Sequence, residues 1–214
     1  MIISIKNISL SLGDKKIFDS LSYEFKPGHF YVIKGESGCG KTTLLKCVST
    51  LLEVESGEVA YSIDLPITEL RRKIQYLPQL PVVFPGTVKE NLLMPFSFKP
   101  YNAEVPSDEI LKVKMAELFS EEIDLQKDAS KLSQGEKQRM ALCRALMIDP
   151  DVLLCDEPTA SLDSKSRKVV EEKIERFASS GDKTVIFISH HDELLIATEA
   201  TELIVANGKI EEGK

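Results

Sequence analysis

The segment Gly35-Glu36-Ser37-Gly38-Cys39-Gly40-Lys41-Thr42 constrains this chain more than any other. It fits the pattern GxxxxGK[ST] and stands where such a loop must stand, after the apolar run 30–33 and before the helix-forming stretch 42–52. Glycines let backbone N–H groups turn inward around phosphate oxygens, and the following helix adds the positive end of its dipole. Lys41 has the reach for β- and γ-phosphates, and the hydroxyl of Thr42, with Thr43 beside it, suits Mg²⁺.

Strand-like and helix-like segments alternate along the rest of the chain, the pattern of a layered α/β domain with a largely parallel sheet. Only the opening departs from it. Ile3, Ile5, Ile8 and Leu10, then Leu21, Tyr23 and Phe25, predict two antiparallel strands, and Pro27-Gly28 turns the chain beside a surface His29. Residues 59–63 and 74–77 read as short strands, and the proline-punctuated segment 78–106 as a surface excursion. A helix is expected over 112–119, and a firmer one after Ser133, where Ser133-Gln134-Gly135-Glu136 fits a capping box ahead of Met140, Leu142, Leu146 and Met147. The runs 152–155 and 185–188 are continuously apolar, as strands covered on both faces are, with a crossover helix over 164–178 between them. Asn207-Gly208 predicts a type I′ hairpin.

Composition narrows the partners. With 27 Lys and Arg against 34 Asp and Glu, the formal charge is −7, which argues against nucleic acid as the main partner. No apolar stretch approaches the ~18 residues of a membrane span, and residues 1–10 alternate instead of forming a signal-peptide core, so a cytosolic protein is expected. Cys39, Cys47, Cys143 and Cys155 lack metal-ligand spacing and read as reduced, mostly buried thiols.

A triphosphate site needs a metal-side carboxylate and a group that orients water. Asp156-Glu157 follows the apolar run 152–155, which puts both carboxylates at the carboxyl end of a buried strand, where open α/β sheets bind ligands. Asp156 then suits Mg²⁺ or its water, and Glu157 the general base.

Over essentially its whole length the chain resembles the nucleotide-binding ATPase subunits of ABC transporters, P-loop NTPases with an N-terminal antiparallel β subdomain and an inserted helical subdomain. Leu132-Ser133-Gln134-Gly135-Glu136-Lys137-Gln138-Arg139 is similar to the signature motif of that family and is the most specific of the matches. Gln79 resembles the Q-loop residue that touches Mg²⁺ and senses the membrane partner. Ser161-Leu162-Asp163 resembles the D-loop, and His190 the switch histidine at the γ-phosphate. Taken singly, Gln79 is an ordinary loop residue, His190 a strand-end histidine and Asp163 a helix cap; their order and spacing carry the likeness. The resemblance implies one domain over 1–214, with an ATP-binding core over 1–77 and 146–214 and a lobe over 78–145 carrying the Q-loop and signature.

Three positions depart from the family pattern. Gln134 replaces the first of two signature glycines. Leu12, before Gly13, stands where the family often has an aromatic residue that stacks on adenine, which predicts ATP use with weak discrimination against GTP. Cys39 lies within the phosphate loop as an expected exposed thiol with raised reactivity, whose alkylation would block activity.

The resemblance further implies that each ATP is sandwiched between Lys41 of one subunit and Ser133 of a second copy or paralogue, and that a separate integral membrane permease does the transport. The protein is then peripheral on the cytoplasmic face, docking through Gln79 and the apolar segment 80–98. The segment from Tyr76 to Phe96, with Phe84-Pro85-Gly86-Thr87-Val88 and Asn91-Leu92-Leu93-Met94-Pro95-Phe96, is similar to export-type ATPases and, more distantly, to the ATPase subunits of bacterial iron or metal exporters; the chain also ends soon after its last hairpin, before any import-type regulatory domain. An import-type ATPase, or a soluble ABC-type ATPase working on DNA or ribosomes, remains the alternative.

Overall fold

A computed structural model describes residues 1–98, 104–119, 121–189 and 200–213. In chain order its main elements are β1 (Ile3–Leu12), β2 (Lys15–Phe25), β3 (Phe30–Lys34), α1 (Lys41–Val48), β4 (Ser56–Tyr61), α2 (Ile67–Lys73), β5 (Ile74–Leu77) and α3 (Val88–Leu93). They continue with α4 (Asp108–Ala116), α5 (Gln134–Leu146), β6 (Val152–Asp156), α6 (Ser164–Ala178), β7 (Thr184–Ile188), β8 (Ala200–Ala206) and β9 (Lys209–Glu212). The contacts divide the chain into two compact units: 1–76, 150–157 and 175–214 form one, and 77–149 with 158–174 the other.

The first unit carries two sheets. Strands β2-β1-β4 form an antiparallel sheet, in which Ile3, Ile5, Ile8, Leu10, Leu21 and Phe25 of the two expected strands are buried and Tyr23 is half-buried. The larger sheet runs β5-β6-β7-β3-β8-β9; β6, β7, β3 and β8 pair in parallel and β9 closes it antiparallel. Every residue of β6 and β7 is buried, as continuous apolar runs demand. One apolar cluster draws on both sheets and on Leu44, Leu45 and Val48 of α1. The last hairpin has φ 50° at Asn207 and 71° at Gly208, the pair of positive values that a type I′ turn requires.

Four expectations need correction. The helix expected over 112–119 is α4, which runs from Asp108 to Ala116. The helix after the phosphate loop stops at Val48, not at residue 52, because Thr50 leaves the helical region with φ 60°. Helix α2 was not foreseen, although Pro66 before it, Glu69 in its first turn and Arg71-Arg72-Lys73 in its last are helix punctuation. The segment 78–106 is not simply a surface excursion. Within it Thr87 and Glu90 form a capping box that starts α3, and Val88 and Leu92 are fully buried in the second unit.

That second unit is mainly helical. Leu111 and Met115 of α4, with Met140, Leu142 and Cys143 of α5, are buried in it. Asn91 of α3, fully buried, donates to the carbonyls of Phe84 and Thr87 and accepts from Phe84 N. Arg144 of α5 then donates to Asn91 Oδ1 and, at 2.7 Å, to Val82 O, so the segment after Gln79 is clamped to the signature helix.

Candidate active site

In the first unit the phosphate loop joins β3 to α1. Gly40 ends it with φ 110° at the N-cap of α1, and the first N–H groups of a helix have no intrahelical acceptor. A Cβ at Gly40 would lie 2.7 Å from Ile17 Cγ2 and 2.9 Å from Phe18 Cε1, so the loop comes close enough to β2 only because glycine is there. Gly40→Ala adds a left-handed alanine to this overlap, at a cost of about 1–3 kcal/mol. We expect its melting temperature to fall by about 2–4 °C per kcal/mol, with the shift given by ATP in the unmodified protein lost as well; thermal melts with and without ATP check both.

Lys41 is buried, and its ammonium donates to Gly35 O at 2.8 Å and Glu36 O at 2.9 Å, with Cys39 Sγ at 3.9 Å. An anionic phosphate oxygen would replace these neutral acceptors with a stronger, charge-assisted one. Glu36, Ser37 and Gly38 are exposed, and Lys15 of β2 pins the loop by donating to Gly38 O at 2.9 Å. A cleft of about 740 Å³ lies between the loop, the start of β2 and the Asn207-Gly208 turn. Cys39, expected to be exposed, is half-buried and packs against the core. The other three thiols are buried and unpaired, and burial pushes that of Cys47 up to about 11.

The acidic strand end meets this loop. Thr42 Oγ1 donates to Asp156 Oδ1 at 2.9 Å, and Tyr76 OH donates to Asp156 Oδ2 at 2.7 Å. Asp156 is 3% exposed. Glu157 follows, half-buried, with φ 49°. A non-glycine residue in the left-handed region stores about 1–3 kcal/mol of strain, and such strain gathers at functional sites. A hydroxyl and a carboxylate are hard oxygen donors, the set that Mg²⁺ takes while keeping several waters, so Thr42 and Asp156 fit the metal expected of them. Thr43 is half-buried in α1, and Leu12 ends β1 exposed, opposite Lys15.

The second unit holds the remaining motifs. Ser133 caps α5: its Oγ accepts from Glu136 N at 3.3 Å while its own N–H donates to Glu136 Oε2 at 2.7 Å. Burial works to raise the Glu136 carboxyl, yet the hydrogen bonds from Ser133 and the Lys127 and Arg139 charges outweigh it and hold it below its usual range. Gln134 is exposed. Ser161, Leu162 and Asp163 lie beside the signature: a Cβ on Gly135 would stand 3.2 Å from Leu162 Cδ2. Asp163 accepts from Ser166 N and Oγ, which hold its carboxyl low, and Ser166 accepts from Arg139 at 2.7 Å. Gln79 is exposed. His190 lies outside the described residues.

Sequence reasoning passed over Tyr76, Lys15 and the Arg139–Ser166 link. For Tyr76 a signal existed, since a tyrosine in a short apolar strand needs an acceptor for its hydroxyl.

A phosphate loop tied to a carboxylate at the end of a buried parallel strand defines a nucleotide-hydrolysing P-loop enzyme. The family model described as "ABC transporter" matches residues 18–160. The chain is 32% identical over 219 residues to the "Probable iron export ATP-binding protein FetA" of Escherichia coli (strain K12), covering 100% of this chain and 96% of that one. It is 34% identical over 216 residues to the "Fe(3+) ions import ATP-binding protein FbpC" of Fusobacterium nucleatum, covering 98% of this chain but 57% of that relative. Among solved structures it is similar to the ATP-binding cassette MJ0796, in a dimeric post-hydrolysis state bound to ADP and Pi, with a TM-score of 0.85, 29% identity and coverage of 99% and 98% of the two chains. This protein belongs to the ABC transporter family as an ATP-binding subunit, and it hydrolyses ATP. Among the described residues no helix is long and apolar enough to cross a membrane.

Proposed function

We propose that this chain works as a head-to-tail dimer, with a second copy of itself or a paralogue, to drive a separate membrane permease in export of iron or another metal ion. The observation that carries the catalytic half is the Thr42–Asp156 hydrogen bond, which joins the phosphate loop to the acidic strand end. In the proposed complex Lys41 and the backbone of Gly35–Thr42 hold the β- and γ-phosphates. Mg²⁺ would be held by Thr42 and Asp156, with Gln79 as a further metal-side group, and when bound would supply positive charge to offset that of the phosphates. Glu157 orients the attacking water and takes its proton, His190 touches the γ-phosphate, and ADP leaves with the electron pair of the broken bond. Ser133 of the second copy, at the N-terminus of its signature helix, completes the phosphate cradle, and the D-loop residues Ser161–Asp163 flank it. Leu12 makes apolar contact with the base.

The export direction is supported by the full-length match to a relative named as an iron exporter. Import is the second reading, favoured by the equally similar relative named as an importer, of which this chain spans just over half. Deleting the gene separates them. On an iron load, cells without this chain should retain more iron, and the wild-type copy but not Glu157→Gln should restore the normal level. Lower cell iron would point to import, and unchanged iron would remove iron as cargo.

A further inference from the structure

Tyr76 stands next to the end of β5, and its hydroxyl reaches Asp156 Oδ2 at 2.7 Å across 80 residues of sequence. Its ring packs against the apolar core of the first unit. The other oxygen of the same carboxylate, Oδ1, accepts from Thr42 at 2.9 Å. A solvated carboxylate turns freely and exchanges its two oxygens. This one is 3% exposed and carries a different donor on each oxygen, so it cannot turn without breaking a hydrogen bond. Oδ1 is thereby committed to the Thr42 side.

A buried tyrosine needs an acceptor, but a backbone carbonyl serves that need, as Val48 O does for Tyr61 OH at 2.8 Å. The Tyr76 hydroxyl is aimed instead at the carboxylate that faces the phosphate loop. The strands support this placement at their other end, where Asp151 N donates to Lys73 O at 2.8 Å and the Lys73 ammonium pairs with the Asp151 carboxylate at 2.9 Å.

We propose that Tyr76 is a positioning residue for the metal side of the site, holding Asp156 so that Oδ1 faces Thr42 and the incoming Mg²⁺; this rests on the assignment of Asp156 to the metal made above. Groups that orient metal ligands typically change metal affinity by 10–100-fold when removed. Tyr76→Phe keeps the ring and deletes only the hydroxyl.

The test measures affinity for a fluorescent ATP analogue, with Mg²⁺ and with EDTA, in the full chain and in Tyr76→Phe, Asp156→Asn and the double variant, beside thermal melts. Tyr76→Phe should weaken the Mg²⁺-dependent part of binding by about tenfold, leave binding in EDTA unchanged, and melt within a few degrees of the parent. In the Asp156→Asn background it should change nothing further. An unchanged Mg²⁺ dependence, an equal loss with and without Mg²⁺, an additional loss in the Asp156→Asn background, or collapse of the fold would each overturn the proposal. If Asp156→Asn itself keeps the parent's Mg²⁺ dependence, the metal assignment fails first and this inference falls with it.

Discussion

Glu157→Gln is expected to lower ATP turnover by roughly 10³-fold, within the 10²–10⁴ typical of a positioned general base, while ATP binding is kept. The amide preserves the size of the side chain and its ability to orient water, and removes only the acceptor for the proton. The backbone argues for this residue independently of its place beside Asp156. Its φ of 49° is strained for a residue with a Cβ, and no glycine relieves the turn. Steady-state phosphate release checks the prediction, and a turnover equal to that of the unmodified chain would remove Glu157 from the base role.

Lys41→Ala should act on binding first. Its ammonium now lies on the carbonyls of Gly35 and Glu36, so it is already in the loop when ATP arrives. A charge-assisted hydrogen bond is worth about 1.5–3 kcal/mol, and its loss should weaken ATP binding by about 10- to 100-fold. In the proposed mechanism the same ammonium stabilises charge developing on the γ-phosphoryl group, so a further loss of roughly 10²–10³ in turnover is expected. Titration calorimetry and turnover at saturating ATP separate the two losses. If affinity and turnover both survive, phosphate is held elsewhere. The alanine also takes the ammonium from both carbonyls, leaving Glu36 O with Cys39 N alone at 3.3 Å, so a lower melting temperature without nucleotide is expected.

The elements legible in the sequence are those whose signal is local. The runs that became β6 and β7 announce burial on both faces, Ser133 and Glu136 announce a helix start within four residues, and Asn207-Gly208 needs only its own backbone. Helix α3 stayed hidden because its capping box, Thr87 with Glu90, sits among prolines that dominate a local reading. The phosphate loop and the acidic pair were each readable, but their junction was not: Thr42 and Asp156 are 114 residues apart, and only the parallel sheet brings them together. Tyr76 gives no local sign of its role for the same reason, since its partner is 80 residues away. The link from Asp163 through Ser166 to Arg139 likewise joins a loop to a helix that sequence order separates.

The central claim is that one chain supplies half of each ATP site, with Lys41 on one copy and Ser133 on the other. The most direct measurement is the mass of Glu157→Gln in solution by light scattering, with Mg·ATP and without nucleotide. With Mg·ATP, twice the 23.9 kDa of the chain is expected, with one ATP per copy, and the single-chain mass when Ser133→Arg is added. A mass that ignores ATP, or an ATP-bound dimer that survives Ser133→Arg, would contradict it.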